Sequence, residues 1–458
     1  MISAFTTAFT NAFKIPELKN RILFTLGIVI ITRIGASIPV PGVDANALAE
    51  VFKNLEQKQG GSFMAMLNIF SGGALEHMAI FSLTIMPYIS ASIIFQLLTA
   101  VIPQLTKISR EEGGRQKITQ YTRYATVLIA LFQSFVTARG FEHPEKLSQV
   151  TGLQLENVAL VVHPGLLFEL STVITLTSGT VFMMWLGEQI TERGIGNGIS
   201  MLIATNILAK FPSAVVVAGQ MFYPPEGKAK YNLIIEFLFI GMFFGVIAAV
   251  IVVTQMQRKI AVQYAQRMVG RKIYGGGQTY MPLRVNYSGV MPIIFAQSIL
   301  MMPHMFLGWF DVNWLNKLLD LLSSGGPVYL AFYGVLIFFF SYFWVATVFN
   351  PIQIADDLKK HGGYVPGVRP GKPTADFLDY TMTRITFAGA IFLTGVAVSP
   401  DVLNNYLSIP YITASFFGGT SLLIVVGVLL DTLRQIETHL LTRNYEGFLK
   451  KGRMRGRI

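Results

Sequence analysis

Long apolar runs separated by shorter polar segments extend along most of the chain. An α-helix rises about 1.5 Å per residue, so about 20 apolar residues cross the hydrocarbon core of a bilayer. The runs predict ten membrane-spanning helices, and their alternation with polar loops indicates an all-α polytopic membrane protein. The predicted spans, numbered 1 to 10, cover residues 22–38, 75–102, 118–138, 164–186, 199–221, 233–256, 290–307, 328–348, 385–398 and 416–433.

Span 5 has the weakest pattern of the ten, because only residues 199–208 are continuously apolar before Lys210 and Pro212. Omitting this span would reverse every later loop and place basic segments on both sides of the membrane, contrary to the positive-inside rule. Residues 213–221 supply the missing apolar length if neighbouring helices cover Lys210. We therefore retain the span and predict that Lys210 is covered.

A shorter apolar segment, residues 63–70, precedes span 2 and reaches only about half-way across a bilayer core. The glycines that follow release the backbone from helical geometry. Non-helical backbone at membrane depth is tolerated only inside protein or beside a water-filled cavity. The pattern favours a re-entrant half-helix that plugs a pore, and a helix lying at the membrane interface is the alternative. The predicted plug, residues 62–73, includes Phe63, Met64, Met66, Leu67, Asn68, Ile69, Phe70, Ser71, Gly72 and Gly73.

The composition agrees with a membrane protein and excludes several kinds of site. Hydrophobic residues make up 52% of the 458 residues, charged residues make up 13%, and the mean hydropathy is +0.52. Without cysteine the chain has no disulfide framework and no thiolate nucleophile. The six histidines are scattered without the spacing of metal ligands, so we expect no metal site and no cofactor.

The net charge of +11 comes from basic residues between the apolar runs rather than on one soluble domain, which argues against nucleic-acid binding. Most of these residues fall on the side of the amino terminus, which predicts that both termini are cytoplasmic. Residues 1–20 predict an amphipathic segment on the membrane surface. No signal-peptide cleavage pattern follows the first apolar run, so span 1 is expected to be retained. Three interpretations are open for Arg33, which lies inside span 1. It has a functional role, or it pairs with a neighbouring helix, or its side chain extends to the membrane interface.

Two long basic segments interrupt the second half of the chain, at about residues 257–287 and 350–384. In the first, KIAVQYA and TYMPLRV alternate apolar and polar residues around Gly275-Gly276-Gly277, which predicts a hairpin-like projection. In the second, Gly371-Lys372 does not form a Walker loop, because Pro373 stands where serine or threonine is required.

The placement of polar residues disfavours two classes of membrane protein. Ion-coupled transporters keep charged residues near the bilayer midplane, whereas Glu76, Glu169 and Glu236 lie towards span ends and His304 is isolated. An intramembrane enzyme is disfavoured, because the sequence has no HExxH motif and no evident serine–histidine or paired-aspartate constellation. A conduit for varied side chains instead needs a narrow ring of branched apolar side chains that can part.

Three alternating glycines occur in EQITERGIGNGIS, between spans 4 and 5. Their spacing is not GxGxxG and no strand precedes them, so a phosphate-binding loop is disfavoured. This string resembles the turn between the fourth and fifth helices of the SecY family, the central subunit of the bacterial protein-translocation channel. NIFSGGAL and IMPYISASIIFQLL resemble the plug and second helix of the same family. The resemblance extends from about residue 16 to residue 451.

The resemblance implies the architecture and the activity. It implies two inverted, pseudo-symmetric five-helix halves, residues 1–221 and 233–433, joined by a hinge linker at 222–232 and followed by a basic tail at 434–458. A central pore would lie between the halves, and a lateral gate would lie mainly between spans 2 and 7. The chain would be a channel, not an enzyme, that translocates unfolded secretory polypeptides and releases transmembrane segments sideways into lipid.

The resemblance also assigns site residues and partners, since no spacing rule selects a pore ring. The implied ring consists of Ile85, Ile89, Ile199, Ile203, Ile294 and Ile424. The implied partners are the SecE and SecG subunits, the SecA motor ATPase, the ribosome, secretory preproteins with their signal sequences, and membrane lipid. The motor or ribosome would contact Arg258, Lys259, Arg267, Arg271, Lys272 and Arg369. Arg369 is flanked by prolines and glycines that would present it on a stiff turn. The implied location is the bacterial cytoplasmic (inner) membrane.

Overall fold

The computed structural model describes residues 15–57, 63–143, 160–223, 233–264, 267–269, 272–274, 277–307, 326–407 and 409–451. Within these residues a helix lies at each of the ten predicted spans. The first helices are α1 Pro16–Gly35, α2 Ala45–Gln57, α3 Phe63–Ser71, α4 Met86–Val101, α5 Pro103–Arg110, α6 Gly114–Glu142, α7 Leu166–Arg193, α8 Gly198–Ala209 and α9 Phe211–Phe222. The later helices are α10 Leu233–Gln255, α11 Met291–Leu307, α12 Pro327–Val348, α13 Pro351–Lys360, α14 Lys372–Leu407, α15 Tyr411–Gly418 and α16 Thr420–Lys451.

Many of these helices are suited to a bilayer. Among the described residues, six helices are long and apolar enough to cross a membrane, or up to eight if each of two bent pairs is one span. The bent pairs are α4 with α5, at 105°, and α15 with α16, at 42°. α11 is apolar over Met291–Met301 but shorter than a full span. The expectation of an all-α polytopic membrane protein is confirmed.

The predicted helix over residues 75–102 is wrong at its start, because α4 begins only at Met86. Residues 74–85 form successive turns instead. Their backbone groups find partners outside any helix, as when the amide of Ile80 donates to the carbonyl oxygen of Ile38 at 3.0 Å. Buried backbone groups need hydrogen-bond partners but not necessarily helical ones. Local turn bonds, such as that from the amide of Met78 to the carbonyl oxygen of Leu75, and pairing with the chain after α1 together replace the first part of the expected helix.

Span 9 does not end before Pro400 as its apolar pattern predicts, since α14 continues through this proline. A proline inside a helix removes an amide donor for the carbonyl four residues earlier, here that of Val396. The hydroxyl of Ser399 donates to this carbonyl at 2.9 Å and supplies the missing hydrogen bond. The correction therefore has a local cause, which is a side-chain donor next to the proline.

Span 10 is broken rather than continuous. Gly419 separates α15 from α16 and has a φ of 124°, a conformation that residues with a side chain rarely adopt. The helical part begins at Tyr411, before the predicted start at residue 416, and α16 extends far beyond residue 433.

Span 5 is divided at Lys210 into α8 and α9. Pro212 lies in the first turn of α9, where its missing amide hydrogen needs no partner. Lys210 is only 7% exposed. The prediction that neighbouring helices cover Lys210 is confirmed.

The segment between spans 6 and 7 forms the predicted hairpin-like projection. The strands are β1 Gln257–Tyr264, β2 Arg267–Val269, β3 Lys272–Tyr274 and β4 Gln278–Arg284. β1 pairs antiparallel with β4, and β2 pairs with β3. The chain therefore reverses between β2 and β3. Of the glycines at 275–277, residues 275 and 276 lie outside the described residues.

The two long basic segments form one folded unit. The short strand β5 Gly363–Tyr364, from the second segment, pairs with β1 and gives a sheet of order β4-β1-β5. Ile260 and Leu283 of this sheet share an apolar cluster with Val345 at the end of α12 and Leu378 near the start of α14. The sheet is therefore anchored on the ends of spans 8 and 9.

Near the amino terminus, α1 begins at Pro16 and continues directly into span 1. Residues 16–20 of the predicted surface segment are thus part of this helix, and residues 1–14 lie outside the described residues.

One apolar cluster, called the central cluster below, contains buried residues of most helices. They come from α1, α3 and α4, from every helix between α7 and α12 inclusive, and from α14, α15 and α16. A second cluster is formed by α2, the turns at 74–85 and the start of α7. Leu67 of α3 packs against both. The half-helix α3 therefore lies where the two apolar cores meet.

Candidate functional site

The half-helix α3 packs into the centre of the bundle. It has nine residues and is about 14 Å long at 1.5 Å per residue, too short to cross a membrane. Met66, Ile69 and Phe70 lie on one face of the helix and are all buried in the central cluster. A helix lying at the membrane interface does not fit this burial, whereas a re-entrant plug does. Phe63 and Met64 belong to α3, and their side chains lie outside the described part of the structure.

The isoleucines assigned to the pore ring lie in the same cluster as the plug. Ile85, Ile89, Ile203, Ile294 and Ile424 are each at most 5% exposed, and Ile199 is partly buried against them. They come from the start of α4, from α8, from α11 and from α16, which are far apart in the sequence. Tertiary folding therefore brings all six into one apolar cluster with the buried face of α3.

The plug hinge at Ser71-Gly72-Gly73 has the sharp backbone turn that the sequence predicts. Gly72 and Gly73 have φ values of 64° and 87°, in the region that favours glycine. The amide of Gly73 donates to the carbonyl oxygen of Asn68 at 3.0 Å, which closes the end of α3. The hydroxyl of Ser71 accepts from the amide of Leu75 at 3.1 Å and continues the turn.

The hinge is surrounded by polar and charged side chains from two other helices. Arg33 of α1 donates from Nη1 to the carbonyl oxygen of Gly72 at 3.1 Å, and from Nη2 to Oδ1 of Asn206 in α8 at 2.7 Å. Close by, Lys210 forms an ion pair with Glu76. Buried charges are costly unless paired, so both cations have a specific reason to be here.

Sequence reasoning does not identify the roles of Glu76 and Asn206. Glu76 is 134 residues from Lys210, and Asn206 is 173 residues from Arg33. The signal in the sequence is the presence of two cations inside predicted spans, which require partners. No pattern in the sequence indicates which residues those partners are.

The predicted lateral gate corresponds to a contact between α4 and α11. Near this contact Gln297 of α11 donates from Nε2 to the sulfur of Met66 at 2.9 Å, so α11 also touches the plug. Oε1 of Gln297 is buried and has no hydrogen-bond partner among the described residues. A buried glutamine with an unused acceptor gives this contact less polar stabilisation than a fully paired one.

The turn after α7, in EQITERGIGNGIS, packs tightly against α1 and α16. A Cβ at Gly194 would lie 2.5 Å from Oγ1 of Thr25 in α1, and one at Gly196 would lie 3.0 Å from Oγ1 of Thr432 in α16. The amide of Gly196 also donates to Oε1 of Gln435 at 2.8 Å. The glycines therefore allow close backbone approach between this turn and the two helices.

The basic residues assigned to a partner contact lie on the folded unit of the two long segments. Arg258, Lys259 and Arg369 are exposed. Arg369 lies between Gly367 and Gly371, whose φ values are 81° and 97°, and its carbonyl oxygen accepts from Oγ1 of Thr374 at 2.8 Å. Other members of the set are less completely described, since only the backbones of Arg267 and Lys272 are described, and Arg271 lies outside the described residues.

A bundle of membrane-length helices with a short half-helix buried in its centre defines a multi-pass helical membrane protein. The model of the SecY family matches residues 79–433. The chain belongs to the SecY family.

Individual relatives cover almost the whole chain. Protein translocase subunit SecY of Escherichia coli strain K12 is 45% identical over 445 residues, which are 96% of both chains. The subunit of the same name from Thermotoga maritima is 40% identical over 452 residues, 98% of this chain and 99% of the relative.

Solved structures share the fold at low sequence identity. One described as a protein-conducting channel gives a TM-score of 0.56 at 16% identity, over 93% of this chain and 96% of that chain. Sec61 in the canine ribosome–channel complex from the endoplasmic reticulum gives a TM-score of 0.53 at 15% identity, with the same coverage. These two likenesses support the fold.

Proposed function

We propose that this chain is a channel that translocates unfolded secretory polypeptides across a membrane and releases transmembrane segments sideways into lipid. Membership of the SecY family supports this proposal, since the curated relatives are named protein translocase subunits. The observation that carries it is the burial of the plug helix α3 in one cluster with the six isoleucines of the proposed pore ring.

This arrangement suits a variable polypeptide better than a fixed small solute. Branched apolar side chains close a narrow path without offering polar ligands to an ion, and they can part when a chain enters. Met66, Ile69 and Phe70 of the plug would be exposed when α3 leaves the centre. Their burial, at about 25 cal/mol per Å² of apolar surface, stabilises the plugged form until a substrate replaces the contacts.

The two halves, residues 1–221 and 233–433, would move about the linker at 222–232. Contacts between the residues on either side of this linker would hold the two halves together beside it. Phe222 of α9 lies 6.1 Å from Phe239 of α10 between ring centroids, and the Oη of Tyr223 donates to Glu236 at 3.1 Å. The contact between α4 and α11 would be the lateral gate, where apolar segments leave for lipid.

The partners and the orientation follow from the charge pattern and from the family. SecE would clamp the halves from outside and SecG would bind peripherally. The sequence has no ATP-binding motif, so the SecA motor or a translating ribosome would act on the folded unit that carries Arg258, Lys259 and Arg369. The structural neighbour Sec61 was solved in a ribosome–channel complex, which supports a ribosome contact. The basic segments would face the cytoplasm, with both termini, in a bacterial inner membrane.

A crosslinking experiment tests the polypeptide path. Because the sequence contains no cysteine, each introduced cysteine is the single site of reaction in the chain. Single cysteines are introduced at Ile89, Ile199, Ile294 and Ile424, the protein is reconstituted with its partners, and a secretory polypeptide is stalled half-way. Matched control cysteines are introduced at the exposed isoleucines Ile30, Ile174 and Ile391, which are 59%, 63% and 52% exposed.

Capture of the stalled chain at all four ring positions, and at none of the controls, is expected. Equal capture at ring and control positions, or capture at none of them, contradicts a polypeptide path through the ring. If the reconstituted protein instead moves a small solute with no capture at the ring, an ion-coupled transporter replaces the channel and α3 is only a re-entrant helix.

A further inference from the structure

Lys210 is a buried cation at the joint between the two halves of span 5. Its side chain is 9% exposed, and its ammonium forms an ion pair with Oε2 of Glu76, whose side chain is 21% exposed. Glu76 follows the plug hinge by three residues. The pair therefore joins the middle of span 5 directly to the segment that carries the plug.

The same carboxylate oxygen also contacts the plug itself. Asn68 of α3, which is 1% exposed, donates from Nδ2 to Oε2 of Glu76 at 3.4 Å. The stem of Lys210 lies against the hinge, since a Cβ at Gly73 would be 3.0 Å from its Cε. Plug helix, hinge and span 5 thus meet at one ion pair.

Span 5 contacts the hinge on two successive turns. Asn206 and Lys210 are four residues apart and share one side of the span. The backbone oxygen of Asn206 would lie 2.7 Å from a Cβ at Gly72, while Lys210 lies against Gly73. Movement of α3 out of the centre therefore requires the hinge to separate from both turns.

We propose that the Lys210–Glu76 ion pair is a latch that holds the plug hinge against the middle of span 5, and that releasing this latch is a step of channel opening. The inference rests on the proposed function, because it names a part of the gating of that channel. The attraction between the two charges is strong while the site is dry and falls when water enters, because it depends inversely on the local dielectric constant. The latch therefore favours two discrete states, one plugged and dry and one open and wet.

The test measures plug seating without any substrate. A single cysteine replaces Met66, which is 4% exposed, and its reaction rate with a water-soluble maleimide reports the fraction of time for which α3 is unseated. Resting ion leak through the protein in vesicles is the second readout. The variants are Glu76→Gln, Lys210→Met, the double variant and the charge swap Lys210→Glu with Glu76→Lys. The matched control is Glu169→Gln. The side chain of Glu169 is 15% exposed, and its Oε1 forms an ion pair with Nε of Arg139 at 2.7 Å, which this substitution removes.

Each single variant removes one charge of the pair and leaves the other without the opposite charge, and removing one member of an ion pair is more disruptive than replacing both. We expect at least tenfold faster labelling and a raised leak for each single variant, and no change for Glu169→Gln. The charge swap, which keeps the attraction, is expected to move both readouts back towards those of the unmodified pair, whereas the double variant has no ion pair and should still be labelled faster than the parent. Labelling rates within twofold of the parent for both single variants would overturn the latch.

A locked plug distinguishes the latch from general damage. Cysteines at Met66 and Gln297, whose side chains touch, are joined by a short bismaleimide in the Lys210→Met background. The latch predicts that this crosslink abolishes the leak, and a leak that persists with the plug locked contradicts it. Failure of the proposed function would appear separately, as the absence of substrate capture at the ring in the unmodified channel.

Discussion

The guanidinium of Arg33 donates a hydrogen bond to the carbonyl oxygen of Gly72 at 3.1 Å, which ties the first membrane span to the hinge of the plug. Its second terminal nitrogen donates to Oδ1 of Asn206 at 2.7 Å. A planar guanidinium reaches two acceptors at once, whereas an ammonium does so less well. Of the interpretations that the sequence leaves open for Arg33, pairing with a neighbouring helix is the one observed, and that pairing includes the hinge.

Replacement of Arg33 is expected to unseat the plug. Arg33→Met leaves the Gly72 carbonyl and Asn206 without this donor, and a hydrogen bond to a charged group contributes about 1.5–3 kcal/mol. Since about 1.4 kcal/mol corresponds to tenfold, maleimide labelling of a cysteine at Met66 should accelerate at least tenfold. Arg33→Lys should give a smaller effect. Arg21→Met, in the same helix, is the control, and an unchanged rate for Arg33→Met would contradict the role of this bridge.

Gly72→Ala should disturb the plug through both strain and contact. Gly72 has a φ of 64°, and left-handed backbone costs about 1–2 kcal/mol for a residue with a side chain. In addition, the new Cβ would lie 2.7 Å from the backbone oxygen of Asn206. Gly113→Ala is a matched control, because Gly113 has a φ of 76° and nothing within 4 Å of its Cβ position. The Met66 labelling assay should show faster reaction for Gly72→Ala only, and equal behaviour of the two variants would count against the hinge contact.

The contact between Phe211 and Phe416 should contribute to the cohesion of the two proposed halves. Their ring centroids are 5.6 Å apart at an interplanar angle of 63°, an edge-to-face arrangement. Such pairs contribute about 0.5–1.5 kcal/mol beyond area burial, so a double-mutant cycle with Phe→Leu at each position should show coupling of that size. Unfolding in denaturing detergent measures it. Phe339 and Phe343, which are 6.2 Å apart on one helix, provide the comparison within one element, and zero coupling between Phe211 and Phe416 would show that the halves are held elsewhere.

Arg369→Glu should block motor-driven export while leaving insertion of membrane proteins intact. Arg369 is exposed on a turn fixed by glycines and by the hydrogen bond from Thr374, so reversing its charge changes the docking surface without removing buried packing. Export of a secretory preprotein and insertion of a membrane protein are measured in parallel in vesicles. Lys360→Glu, at a side chain that is 74% exposed on α13, is the control for charge alone. Normal export by Arg369→Glu would contradict a specific role for this arginine.

The sequence predicts a helix at each of the ten apolar runs, because a bilayer imposes a minimum length of apolar helix that is visible without any tertiary information. It errs at several helix boundaries. Pro400 does not end α14, since Ser399 supplies the lost hydrogen bond, and the chain before Met86 is not helical, since other segments pair its backbone. The effect of these residues on a helix depends on neighbours that a local pattern does not contain.

Part of the candidate site could likewise be predicted from the sequence, and part of it could not. The short apolar run before Gly72 indicates a half-helix, and the hinge glycines have the positive φ values that their sequence suggests. The convergence of isoleucines from α4, α8, α11 and α16 is not visible in spacing, and only the family resemblance selects them in advance. The partners of Arg33 and Lys210 are likewise unpredictable from pattern, although the need for partners is predictable.

The sequence by itself determined that this protein is a multi-pass helical membrane protein with a short helix, ended by glycines, before its second span. These properties follow from the length and order of apolar runs, which bilayer thickness and backbone hydrogen bonding constrain locally. Only the tertiary structure decided that the plug hinge is held by Arg33 and by the Lys210–Glu76 pair. The Arg33–Gly72 hydrogen bond joins residues 39 positions apart and the Lys210–Glu76 pair joins residues 134 positions apart. Both form because charges inside the bundle must find partners wherever the packed helices place them.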